Sequence, residues 1–227
     1  MRKLHVTVAL MFTIALASCG HTNNLAKYNI KGSSATYRSS VAAGAMKSSA
    51  AVDPGSPSAV TSIAASIGSD AASKAAEEKI IHSISPDSLA AAFAAGIVHS
   101  THDYLQLRTS GDVNGNATGN YIIESVLEEF SVNSSSTGVT ATVRGTSRII
   151  DRVTGAIVWE DEETNTVPLR STPTTGHPVS DALASAFNAA QLADLSEAEI
   201  HNVLASSADE AGRQLAETLR EDVAKLK

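Results

Sequence analysis

The chain has a single cysteine, Cys19, so it cannot close a disulfide within itself, and its fold must stand on packing alone. Aromatic residues are scarce, 4% against 43% hydrophobic overall, so Ala, Val, Ile and Leu must supply the interior. Beyond the N-terminus no apolar run approaches the roughly 20 residues that span a bilayer as a helix. Basic residues are outnumbered, 17 Lys and Arg against 24 Asp and Glu, for a net charge of −7. That balance argues against a phosphate-neutralising nucleic-acid surface and against electrostatic docking on anionic lipid. No nucleophile elbow, phosphate loop or metalloprotease helix occurs, and no carboxylate pair stands at catalytic spacing. The expectation is a protein that is not an enzyme and needs no cofactor, with one core in about two hundred residues.

What is present begins at the N-terminus. Arg2 and Lys3 precede the apolar run Val6 to Leu16, which has the length of a signal-peptide core. Leu16-Ala17-Ser18-Cys19-Gly20 then resembles the lipobox of bacterial lipoproteins: an apolar residue, two small ones and the cysteine that is acylated. The alternative is an ordinary secretory signal with an incidental cysteine. The resemblance implies a signal peptide over 1–18, lipidation at Cys19 and a membrane anchor of two or three acyl chains. Gly20 is not the aspartate of inner-membrane retention, which implies the outer membrane, facing the periplasm. The processed chain loses Arg2 and Lys3, leaving 15 basic against 24 acidic residues, net −9.

Residues 19–57 are expected to form a lipidated tether with a first strand at 28–37, and residues 58–227 the periplasmic domain. A wholly loose segment from Cys19 to Pro57 would reach at most about 130 Å. Val60, Ile63, Ile67 and Ala71 fall at helical spacing and predict a helix over 58–80. Ser85-Pro86-Asp87 offers an N-cap, a proline at the first helical position and a first-turn acid. It opens a helix to about Ser100 with Leu89, Ala92, Phe93, Gly96 and Ile97 on one stripe. Tyr121 to Val132 has the apolar-on-both-faces pattern of a central strand covered on both sides. Val139, Ala141, Val143 and Ile149 alternate with Thr140, Thr142, Arg144, Thr146 and Arg148, a half-exposed antiparallel strand. A turn over 151–155 and a return strand over 156–167 would pair Arg144 with Glu162 and Thr146 with Glu160, with Trp159 covering Gly145. Ser180 can cap the next helix, bearing Leu183, Phe187 and Leu192. Ser196–Glu199 and Ser207–Glu210 each fit a capping box, the second leading a stripe of Ala208, Ala211, Leu215, Leu219 and Leu226. The fold class is α+β: a small, mostly antiparallel sheet packed against helices, with a helical C-terminal extension.

Three constellations are candidates for chemistry. His99, His102 and Asp103 have metal-ligand types at helical spacing, though a helix C-terminus favours histidine through its dipole alone. Asp112, Asn114 and Asn116 open like a calcium loop, but Ala117 and Ile123 stand where glycine and glutamate are required. Glu160, Glu162 and Glu163, with Asp161 among them, are candidates for partner binding or for a solvated strand edge that discourages aggregation.

Asn120-Tyr121-Ile122-Ile123 and the stretch from Arg148 to Trp159 (RIIDRVTGAIVW) carry a second resemblance. It is to periplasmic lipoproteins that share a domain with the N-terminal part of the Tol-Pal translocation protein, among them activators of penicillin-binding proteins and the curli-secretion lipoprotein. It covers roughly 85–167. The long amphipathic strand pair of the secretion type is missing here, and the helical region after Pro178 is longer than in the activator type. The resemblance implies a non-catalytic scaffold or regulator in envelope assembly, working through an envelope protein partner. The alternative is a lipid- or apolar-ligand-binding auxiliary lipoprotein of a transport system, built from amphipathic helices that can part from a sheet.

Overall fold

A computed structural model describes residues 21–50, 59–109, 119–171 and 178–226. Cys19, the expected signal peptide over 1–18, and Asp112, Asn114 and Asn116 lie outside the described residues. Ile123, the twelfth position of the would-be calcium loop, is a buried strand residue and cannot serve as an oxygen ligand.

The elements follow as β1 (Thr22–Asn23), a 3-10 turn (Leu25–Lys27), β2 (Ser34–Val41), β3 (Met46–Ala50), α1 (Ala59–Ser83) and α2 (Pro86–Leu105). Then come β4 (Arg108–Thr109), β5 (Tyr121–Ser135), β6 (Gly138–Asp151), β7 (Ile157–Ser171), α3 (Pro178–Asp194) and α4 (Glu197–Ala224). One sheet runs β1-β7-β6-β5-β2-β4, with β3 beside β5 beyond the end of β2. The long strands β5, β6 and β7 form an antiparallel meander, while β2 and β3 lie parallel to β5. The α+β class holds, with a mostly antiparallel sheet and the C-terminal helix packed on it.

The expected tether is the main correction. Residues 22–50 supply three strands, and Leu25, Ile30, Ala35 and Ala45 are core residues. The strand expected at 28–37 is β2, at Ser34–Val41, and the two-residue β1 precedes it. From β1 the chain crosses four inter-strand steps to β2, about 19 Å at roughly 4.8 Å each. Polar spacing hid this, because β2 and β3 carry few large apolar side chains.

The hairpin motif is explained by its turn. Asp151 Oδ1 accepts hydrogen bonds from Val153 N (3.0 Å), Thr154 N (2.8 Å) and Thr154 Oγ1 (2.9 Å). Gly155 takes a φ of 71°, in the left-handed region that suits glycine. These bonds from Thr154, outweighing slight desolvation, hold the Asp151 carboxyl below its usual range. The β6 faces are as expected, with Val139, Ala141, Val143 and Ile149 buried. The register differs: Arg148 faces Glu160, Thr146 faces Glu162 and Arg144 faces Thr164, because a bulge between Ile149 and Ile150 displaces the pairing. β5 is central but has helices on one face only. A second bulge between Leu127 and Glu129 turns both Glu128 and Glu129 toward the other face.

The helices form one layer over the face that carries Ile123, Leu127, Phe130, Val143 and Ile149. In α1 the buried positions are Ala72, Ala76 and Ile80, while Ala71 is exposed. The side chains of Val60, Ile63 and Ile67 lie outside the described residues. α2 continues past Ser100 to Leu105 and stops at Gln106, whose φ is 54°. Ser85 occupies the cap position of α2 but makes no side-chain cap bond. Its carbonyl instead accepts from Ser88 N and Oγ. α2 and α4 cross at glycines: a Cβ on Gly212 would lie 2.1 Å from the Phe93 carbonyl oxygen, and one on Gly96 would lie 2.6 Å from the Gly212 backbone. Phe93, not Trp159, covers Gly145, its ring 2.5 Å from where a Cβ would stand.

The capping box Ser196–Glu199 forms as expected: Ser196 Oγ accepts from Glu199 N, and Ser196 N donates to Glu199 Oε2 at 2.9 Å. The Ser207–Glu210 box does not, since α4 runs straight through it with Ser207 buried. Ala208, Ala211, Leu215 and Leu219 are buried as one stripe, but Leu226 and, in α3, Phe187 are exposed. α3 begins before Ser180, at Pro178.

Candidate functional site

The N-terminal end of the described chain is clamped. His21 Nε2 stands 3.1 Å from Asp222 Oδ2 and Nδ1 3.4 Å from Asp161 Oδ1, with its ring edge-on to Trp159 at 6.3 Å between centroids. Trp159 Nε1 donates to Asp222 Oδ2 at 3.0 Å, and Lys225 Nζ to Asp222 Oδ1 at 2.9 Å. The indole is fully buried and Asp222 is 2% exposed. Burial alone would push this carboxyl up. The bonds from Lys225 and Trp159 and the adjacent His21 outweigh it and hold Asp222 below its usual range. The same bond to Asp222 raises the Lys225 ammonium. The members come from three distant parts of the sequence, His21, the start of β7 (Trp159, Asp161) and the end of α4 (Asp222, Lys225), and no local pattern announced the cluster.

Glu160, Glu162 and Glu163 are separated by strand alternation. Glu160 and Glu162 lie on the helix-free face, within an ordered ladder. Arg38, Glu124, Arg148 and Glu160 occupy consecutive positions of one row across β2, β5, β6 and β7. Arg148 Nε bonds Glu160 Oε1 at 2.5 Å and Arg148 Nη1 stands 3.9 Å from Glu124, and the Glu160 bond raises the guanidinium further. Two rows on, past Thr146, Arg144 lies between Glu128, Glu129 and Glu162 at 3.7–3.8 Å. Glu163 is on the opposite face, where desolvation lifts its carboxyl above the usual range. Sequence spacing had set Arg144 beside Glu162, a contact present at 3.8 Å, but had not found the acids of β5 that meet the same arginines.

His99, His102 and Asp103 do come together. Asp103 sits between the two imidazoles, 3.2 Å from His99 Nε2 and 3.1 Å from His102 Nδ1. All three are well exposed, and among the described residues no group of three acids, histidines or cysteines is arranged to hold a metal ion. The two histidines, but not Asp103, line a groove of about 480 Å³ between α2 and β2, together with Ala91, Ala94, Ala95, Val98 and Ile123. Tyr37 closes one side through a 3.0 Å bond to Thr101.

No family model and no curated protein matches the sequence. Similar solved structures include a candidate lipoprotein from Caulobacter crescentus CB15, 15% identical with a TM-score of 0.32 over 56% of this chain and 79% of that one. A DUF330 protein from Xanthomonas campestris is 12% identical with a TM-score of 0.35 over 86% of this chain and 90% of that one. The PelC dodecamer from Paraburkholderia phytofirmans is 16% identical with a TM-score of 0.30 over 77% and 94%. At these identities and scores the likenesses carry no functional argument.

Proposed function

We propose that the chain is a lipoprotein anchored through Cys19 in the outer membrane, facing the periplasm, and that it acts without catalysis as a scaffold or regulator in envelope assembly. The observation that carries this reading is the sequence Leu16-Ala17-Ser18-Cys19 standing three residues ahead of β1 at Thr22–Asn23, a strand of the folded sheet. A domain of the Tol-Pal type is part of the proposal. In support, the Asp151–Trp159 segment forms a hairpin, with the aspartate building the turn and the tryptophan locking the C-terminal helix. Partner contact rests on the helix-free sheet face, where Arg38, Arg144 and Arg148 alternate with Glu124, Glu128, Glu129, Glu160 and Glu162. Such a face gives orientation and specificity more than raw affinity. Arg144 and Arg148 of the ladder and Asp222 and Lys225 of the clamp are held in ion pairs, which suits recognition better than proton transfer.

Intact-mass analysis of the membrane fraction tests the anchor: Cys19 is expected as the N-terminal, acylated residue. Crosslinking in native membranes tests the role, and recovery of no envelope protein through the sheet face would refute it. A second reading, binding of a lipid or other apolar ligand, is favoured by the alanine-walled groove beneath α2. Co-purified lipid detected by native mass spectrometry would support that reading instead.

A further inference from the structure

We infer that the domain rides directly on the bilayer that holds its anchor, presenting the edge where β1 meets β7 together with the last turn of α4. This inference rests on the reading of Cys19 as the acylated residue. Only Gly20 separates Cys19 from His21, and two extended backbone steps reach about 7 Å. His21 is a fixed point: both ring nitrogens meet carboxylates of the folded domain, at 3.1 and 3.4 Å. Thr22 and Asn23 follow it in the ladder opposite Glu160 and Trp159, and Asn24 N donates to Val158 O at 2.8 Å. The slack between anchor and domain is therefore two residues, not the thirty-nine of a tether ending at Pro57.

Acyl chains on the Cys19 sulfur place that residue at headgroup level, so the headgroups run past the His21 clamp. What surrounds the clamp fits a phospholipid surface. Lys225 Nζ shares the Asp222 carboxylate with His21, bonded to Oδ1 at 2.9 Å, and the side chain is 68% exposed, so the outer side of its ammonium is open to lipid phosphate. Leu226, 41% exposed, follows it as an apolar side chain with no place in the core. The opposite end of the sheet stands clear of the bilayer. The β6–β7 ladder runs from Glu160 opposite Arg148 to Ser171 opposite Gly138, about 35 Å of strand at roughly 3.3 Å per residue.

The chain suits a direct measurement, because acylation consumes its only thiol and an introduced cysteine is then the sole labelling site. Full-length acylated protein carrying a fluorophore on Leu226→Cys, or on Thr137→Cys at the far end, is reconstituted in phosphatidylethanolamine/phosphatidylglycerol vesicles with a headgroup nitroxide quencher. Quenching is expected to be severalfold stronger at 226 than at 137. A flexible Gly/Ser insertion between Gly20 and His21 should bring 226 down toward the 137 level while leaving acylation intact. Equal quenching at both positions in acylated protein, or indifference to the insertion, overturns the docking inference and leaves the lipoprotein reading standing. An unmodified Cys19 in the same preparation overturns both.

Discussion

Gly212→Ala puts two opposed effects in competition at the α2–α4 crossing. Alanine in a helix interior is favoured over glycine by about 1 kcal/mol. Here the new methyl would lie 2.1 Å from the Phe93 carbonyl oxygen, against ordinary contacts of 3.4 Å and above. The atom it meets is backbone, so one helix must move by about 1.3 Å. A radial gap of that order forfeits about half of each dispersion contact it opens, and a buried side chain of leucine size makes about 40 contacts worth roughly 0.15 kcal/mol each. One such side chain's worth of loosened packing costs about 3 kcal/mol, and Phe93 on Gly145 is the first to lose its seat. The net expectation is a loss of about 2 kcal/mol, within the usual range for overpacking. Urea titration followed by the fluorescence of Trp159, the only tryptophan, reads this as a lower midpoint at unchanged slope. The melting temperature should fall by about 4–8 °C for a domain of this size. A midpoint equal to or above that of the parent would mean that helix propensity wins and that the close approach of α2 and α4 is wrong.

Asp222→Ala strands the buried Trp159 N–H and should cost about 1–3 kcal/mol by the same titration. Because the native carboxyl is held below its usual 3.8, the unfolded chain binds the proton more tightly. The stabilisation from Asp222 is therefore full above about pH 4 and lost as pH falls through the native value, so the variant should show a flatter acid limb. Glu199, held by Ser196 N, Ser196 Oγ and Arg170, should titrate at about 2 rather than 4.5 in an NMR pH series, and a midpoint near 4.5 would show the capping box to be open in solution. Arg148→Ala removes a partly exposed link of the charged row and should cost less than about 1 kcal/mol, shrinking at high salt, while weakening crosslinking to any partner docked on that face.

How far the residues could be read depended on how local each determinant is. The β5–β6–β7 meander was legible because its alternation and its turn chemistry at Asp151, Thr154 and Gly155 lie within neighbouring residues. The capping box at Ser196 was legible for the same reason, whereas the equal pattern at Ser207 failed because α4 packs continuously across it. β2 was expected too early and β3 escaped, because both pair parallel to a strand far along the chain and their sequence is Ser- and Ala-rich. The bulges at Leu127/Glu129 and Ile149/Ile150 shifted the pairing, so the right faces came with the wrong partners. The clamp is the extreme case, since His21, Trp159 and Asp222 share no spacing at all. Its tryptophan was visible in the motif, but its purpose was not.

The pairing of β1 with β7 sets the order in which this molecule can come into being. Thr22 is among the first of the described residues to be made, yet its ladder partner Glu160 lies far along the chain and the helix that locks this end, through Asp222, is the last element of all. Closure over so long a loop is slow and late. A nascent chain built this way stays unclosed until synthesis is nearly complete, the condition in which a polypeptide can still be threaded through a narrow channel.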